Sequence, residues 1–197
     1  TNSGTTTTVS NTGTFTNSGT TGAVTNNIGG TFTNSGTTGA VTNRGTFTNN
    51  AAGDTGNVTN IGTFNNYGDT GTVANTGVFE NKAGGTVTEL TYNNYLVRNY
   101  GTITGITYQG GSFTNYAGGT VGTINTTQAH GNWSNQGTVT GTVTTNGNFT
   151  NTATGVVQGT YTNSGILRNY GTLGNVVNTG TLTTYAGSSA GAVTTSG

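Results

Sequence analysis

Single large apolar residues recur along the chain between polar ones in strict alternation, as in Thr14-Phe15-Thr16 and Thr46-Phe47-Thr48. This is the period-two pattern of a half-buried strand, and no 3.6-residue apolar stripe accompanies it. Each triplet runs into Asn and a turn of the form N-x-G: Asn17-Ser18-Gly19, Asn43-Arg44-Gly45, Asn75-Thr76-Gly77, Asn99-Tyr100-Gly101, Asn163-Ser164-Gly165 and Asn169-Tyr170-Gly171. Asn and Gly tolerate left-handed backbone angles, so these turns are expected to be corners where the chain changes direction.

The pattern is a repeat. Thr14 to Asn26 recurs unchanged at Thr31 to Asn43, and weaker copies fill the remainder. The residue two places before each corner gives an anchor column of Phe15, Phe32, Phe47, Phe64, Phe79, Val97, Phe113, Trp133, Phe149, Leu167 and Leu182. The spacing averages about 17 residues. A second apolar column falls midway, at Val9, Val24, Val41, Val58, Val73, Leu90, Ile106, Ile124, Val143, Tyr161, Val176 and Val193. A third runs through Thr21, Thr38, Thr55, Thr70, Val87, Ile103, Val121, Val139, Val157 and Leu173, which implies a thinner, wetter interior in the first four repeats than in the later ones.

A unit with so few large residues cannot close a core alone, whereas stacked units can bury each anchor against the anchors above and below. The expected fold is therefore all-β, a single parallel β-solenoid running continuously over 1–197. About eleven rungs spaced roughly 4.8 Å apart make a rod about 50 Å long. Phe15, Phe32, Phe47, Phe64, Phe79, Phe113, Trp133 and Phe149 form its core. Asn17, Asn34, Asn49, Asn66, Asn81, Asn99, Asn115, Asn135, Asn151 and Asn169 stack at the first corner as an amide ladder, which explains the abundance of Asn without a catalytic role.

Composition agrees: 52 Thr, 37 Gly and 29 Asn make up more than half of the 197 residues, only 4% are charged, and Pro is absent. Strands paired on both edges want every N–H. Four acidic and four basic residues cancel, which leaves no basic footprint for nucleic acid. No apolar run reaches 18 residues, so no membrane insertion by this segment is expected. The repeat opens and stops mid-unit, and the chain is expected to be a segment of a longer one.

The near-tandem N-x-G-T-Φ-T units from Asn2 to Thr194, with no Cys and few charges, resemble the β-helical passenger regions of bacterial autotransporters and the filamentous-haemagglutinin-like exoproteins of two-partner secretion. The resemblance implies export through an outer-membrane pore, folding outside the cell, an extracellular or bacterial-surface location, and a part in adhesion, aggregation or biofilm.

Candidate chemistry is sparse. There is one His, His130, no Cys, no G-x-S-x-G elbow and no P-loop, so neither an enzyme nor a cofactor is expected. Asp54 and Asp69 both lie in Gly-Asp-Thr-Gly and fall in one column on adjacent rungs, a weak Ca²⁺ candidate set against plain solvated replacements of Thr. Glu80 and Arg98 align as a cross-rung ion pair, and Lys82 with Tyr100 as a cation–π contact. Tyr92, Tyr95, Tyr100, Tyr108 and Tyr116 crowd into two rungs, while Tyr67, Tyr100, Tyr116, Tyr170 and Tyr185 share the position after the ladder Asn. Exposed rings on a rigid support suit sugars or partner surfaces. The longest anchor spacing marks an excursion at 126–132, containing His130.

These features point to a non-enzymatic adhesin or stalk whose partner is a host or abiotic surface, or a glycan. One alternative is an extracellular filament or matrix subunit that binds copies of itself end to end. Another is an ice-binding face built on Thr14/Thr16, Thr31/Thr33, Thr46/Thr48 and Thr181/Thr183, although Glu80, Arg98 and Arg168 interrupt the same columns.

Overall fold

The computed structural model describes residues 1–108, 110–126 and 131–196. They form 29 short strands and no helix. Each rung is three-sided. A first strand such as Thr31–Asn34 carries the Phe, a short second strand such as Thr37–Thr38 follows the corner, and a third such as Val41–Asn43 completes the turn. The first strands stack as an 11-stranded parallel sheet. The other two faces form an 18-stranded sheet, because strands such as Thr20–Asn26 and Asp69–Asn75 run unbroken around the second corner.

Register is kept residue for residue. Phe15 pairs with Phe32, Phe32 with Phe47, Phe47 with Phe64 and Phe64 with Phe79. Their ring centroids lie 5.0–5.5 Å apart, and all but Phe15 are fully buried. Val97, Phe113, Trp133, Phe149 and Leu167 continue the column inside the rod. The third column is buried as well. Thr21, Thr38, Thr55 and Thr70 line it before Val87 and Ile103 take over, in unbroken register. The Thr70 hydroxyl donates to Asn66 Oδ1 at 2.9 Å, whereas the buried hydroxyls of Thr21 and Thr38 have no partner within the protein.

The amide ladder runs the length of the first corner. Each Nδ2 donates to the Oδ1 of the next rung, from Asn2 to Asn17 and onward through Asn34, Asn49, Asn66, Asn81, Asn99, Asn115, Asn135 and Asn151 to Asn169, at 2.8–2.9 Å. A second ladder, not singled out from the sequence, occupies the third corner: Asn11, Asn26, Asn43, Asn60, Asn75 and Asn93, joined at 2.7–2.9 Å. It resumes at Asn163 to Asn178. Between them Thr126 and Thr145 hold the ladder positions, and the hydroxyl of buried Tyr161 fills the vacated space, 2.6 Å from Thr145 Oγ1.

The corner glycines correct one expectation. Among the described residues no non-Gly residue has positive φ, and of the glycines only Gly29, Gly84, Gly118 and Gly187 do. Those four belong to longer corners such as Asn81-Lys82-Ala83-Gly84-Gly85. In the N-x-G corners glycine is needed for contact, not for its dihedral angles: a Cβ on Gly36 would lie 2.1 Å from the Gly19 carbonyl oxygen one rung below, and on Gly62 2.2 Å from that of Gly45. The longer corners also explain the spacing. From Asn17 to Asn81, successive ladder Asn are 15 residues apart where both Asn corners are short and 17 where one is long, as in Asn34 to Asn49 and Asn49 to Asn66.

Two stability outcomes are expected. Asn99→Ala strips a buried amide from the stack and leaves Asn81 and Asn115 short of a partner, costing about 1–3 kcal/mol. The outward Thr114→Ala stays within about 0.5 kcal/mol. Denaturant titration of the two variants checks the order. Thr38→Val replaces an unpartnered buried hydroxyl with the methyl that Val87, Val121 and Val139 carry in the same column. It should stabilise by about 1 kcal/mol, seen as a higher denaturation midpoint.

Candidate functional site

Along the first corner, long and short turns alternate from Asn34 onward: Asn34–Gly36 short, Asn49–Gly53 long, Asn66–Gly68 short, Asn81–Gly85 long, Asn99–Gly101 short, Asn115–Gly119 long. At three of these steps the residue that follows the ladder position packs in a pair, short turn with the long turn above. Asn50 Nδ2 donates to Ser35 Oγ at 2.8 Å, Tyr100 stacks on Tyr116 at 4.4 Å, and Tyr170 on Tyr185 at 3.9 Å. Lys82 follows Tyr67 and sits 5.9 Å from the Tyr100 ring centroid. Beside this edge, Glu80 takes hydrogen bonds from Lys82 and from Arg98 Nη1, the latter at 2.6 Å. The cross-rung ion pair and cation–π contact read from the sequence are thus both present. Lys82, then Arg98, hold the Glu80 carboxyl below its ordinary pKa against partial burial, and Glu80 in turn raises the pKa of Lys82.

The five middle tyrosines divide between two edges of the rod. Tyr100 and Tyr116 belong to the first corner, while Tyr92, Tyr95 and Tyr108 gather at the third. Tyr92 is brought there by a register shift after Val73, which puts one more residue in its strand than in the strand below. It stacks on Tyr108 at 4.7 Å, 11° from parallel. Tyr95 stands where neighbouring rungs have Gly77 and Gly111. The hydrogen bond next to it, Leu96 N to Gly77 O, is stretched to 3.5 Å, against 2.9 Å for Val78 N to Gly62 O one rung earlier. Tyr95 is 59% exposed. Close by, Thr107 donates to Glu89.

At this same corner the expected excursion at 126–132 begins and ends in strand residues, Thr126 and Asn132. Residues 127–130, His130 among them, lie outside the described residues. Among the described residues, the bulge before Tyr92 and the displaced glycine at Tyr95 therefore share one edge.

A scan against protein-family models matches none, and a search of curated proteins matches none. Among solved structures the chain is similar to a TibC-catalysed, hyper-glycosylated fragment of TibA, with 20% sequence identity and a TM-score of 0.44. That match covers 98% of this chain and 92% of that one.

Other candidates are placed as follows. Asp54 and Asp69 are exposed neighbours on the second face, flanked by Thr37 and Thr86, whose hydroxyl donates to Asp69. No group of three or more His, Cys, Asp or Glu side chains converges among the described residues, and two carboxylates fall short of a calcium cage. The T-x-T columns of the first face keep register from Thr14/Thr16 to Thr46/Thr48, then become Val78/Glu80 and Leu96/Arg98.

Because the folded Glu80 pKa is depressed, its contribution is present above the unfolded carboxylate value of about 4.3 and is lost as pH falls through the folded value. For a largely solvated pair it amounts to at most about 1 kcal/mol. Glu80→Gln should remove that part of the acid destabilisation, measured as a smaller stability difference between neutral pH and about pH 3. In wild type, an NMR titration should place the Glu80 midpoint below the usual range, and Arg98→Gln should move it upward.

Proposed function

We propose that this chain is a non-enzymatic adhesive rod of a bacterial surface or secreted protein, which attaches through the aromatic third-corner edge at Tyr92, Tyr95 and Tyr108 to a glycan on a host surface. The observation that carries the reading is that the bulge before Tyr92 and the tyrosine standing in a glycine column at Tyr95 fall on the same edge. Rule-breaking without a packing gain marks function more than fold. Tyr95 costs the backbone a well-made hydrogen bond and leaves its ring in solvent. Tyr supplies large, stiff contact area and a hydroxyl, the combination that dominates binding hot spots. A rigid solenoid holds these rings at fixed spacing, so little ordering entropy is lost on contact.

The rungs from Phe15 to Phe64 display mainly Thr, Ser, Asn and Gly, with Ile28 and Ile61 as exposed aliphatics but no exposed aromatic ring, and act as the stalk. Adhesion is a better account than ice recognition, because the columns that would meet ice carry an ion pair in mid-face.

The decisive variant is Tyr95→Gly, which restores the repeat's own residue. Its melting temperature should be no lower than wild type, while binding on a glycan array and to cells should fall at least several-fold; the triple variant Tyr92→Ala, Tyr95→Gly, Tyr108→Ala should abolish it. Undiminished binding by the folded triple variant would remove this edge from consideration. Absence of binding by the parent chain would leave it a stalk or filament segment.

A further inference from the structure

The first-corner edge carries two aromatic pairs that ligand binding at the third corner does not use. Tyr100 and Tyr116 occupy successive rungs with ring centroids 4.4 Å apart and planes 7° from parallel. Tyr170 and Tyr185 repeat the arrangement at 3.9 Å and 10°, each more than a third exposed. We propose that both pairs are oxidative modification sites, each coupled ring carbon to ring carbon into a dityrosine by a one-electron oxidant of the peroxidase class acting with hydrogen peroxide.

The chemistry balances. Each phenol gives up one electron and its hydroxyl proton, leaving a phenoxyl radical whose unpaired density lies partly on the carbons ortho to oxygen. The facing ortho carbons form the new bond, and the hydrogens on them move as protons to the oxygens, restoring two phenols. Two hydrogens leave the protein in total, and one peroxide accepts them to become two waters.

Proximity selects the pairs. Radical coupling between side chains needs two rings in contact, and the in-register stack holds them there before any oxidant arrives. Tyr161 is buried, and Tyr67 has Lys82 as its upper neighbour. The Tyr92–Tyr108 stack is the widest of the three at 4.7 Å and should couple in lower yield. The phenols of Tyr100 and Tyr170 are held above their ordinary pKa, the first chiefly by desolvation and the second chiefly by the Tyr185 hydroxyl, so a hydrogen atom rather than a pre-formed phenolate is what the oxidant meets. The consequence is a covalent tie between consecutive rungs in a chain without cysteine. Like a disulfide, it closes a loop and restricts the unfolded chain. The Tyr170–Tyr185 tie also joins the exposed rung at Thr181–Thr184 to the buried one beneath it.

The test is to treat the dilute, folded chain with peroxidase and hydrogen peroxide, follow dityrosine fluorescence, and map linked peptides by mass spectrometry. Linked peptides two hydrogens lighter than their sum should join Tyr100 to Tyr116 and Tyr170 to Tyr185 within one molecule, and the melting temperature should rise. Tyr116→Phe with Tyr185→Phe keeps the stacked rings but removes the coupling phenols. It should lose most of the fluorescence and the thermal gain, with unchanged circular dichroism. Wild type treated in denaturant should give scattered links instead. Links mainly between molecules, the same pattern from folded and unfolded chain, or full yield in the double variant would each overturn the proposal.

Discussion

Everything in this molecule follows from the demand that each rung repeat the backbone path of the one below at about 4.8 Å, with its amide side chains in line. The Asn ladders express that demand most directly. Every Nδ2 donates in the same direction along the rod, so each amide is polarised by its predecessor and the chain of bonds is stronger than its members taken singly. An Asn that left its place would strand a donor and an acceptor in a buried corner. The ladder therefore penalises any residue or insertion that breaks register, and tolerates only changes that leave both flanking amides where they were. Adding two residues beyond the ladder, in a corner such as Asn49–Gly53, is such a change: the inserted residues bulge outward while Asn49 still bonds to Asn34 and Asn66.

The same demand accounts for the glycines. Around the corner the backbone of one rung crosses directly over the carbonyl of the previous one, leaving no room for a Cβ at Gly36 or Gly62. In sequence a turn glycine and a contact glycine look alike, and only the neighbouring rung shows that these are contact glycines. The anchors, the first ladder and the three inward columns were legible because alternation and periodicity are local properties. Asn43, Asn75 and Asn163 had also been seen as corners. Their membership of a second ladder was missed because its run is interrupted at Thr126 and Thr145, and only the rung-to-rung register brings Asn93 and Asn163 onto one edge.

Clustering of tyrosines in sequence was likewise a poor guide to clustering in space. In a three-sided rung a few residues carry the chain to a different edge, so Tyr95 and Tyr100 diverge while Tyr92 and Tyr108, a full rung apart, touch. What identifies the candidate site is departure from the repeat, judged against the rungs on either side. The bulge at Tyr92 is visible only as a shift in pairing. The oddity at Tyr95 becomes visible once Gly77 and Gly111 are known to share its column.

Stability in such a rod is nearly a sum of equal nearest-neighbour terms, which makes local imperfection affordable and informative. A globular core would distribute the strain of Tyr95 over many contacts; here it appears in one stretched hydrogen bond, with normal bonding resumed at Tyr100 N to Asn81 O, 2.7 Å. The Thr-lined rungs at the start of the chain are imperfect in another way, since Thr21 and Thr38 bury hydroxyls that nothing receives. The middle rungs have the reverse balance, with an aliphatic interior from Val87 onward beneath the irregular, aromatic corner. A better-packed interior lies under the part of the surface that departs furthest from the repeat, as expected if packing there offsets the cost of display.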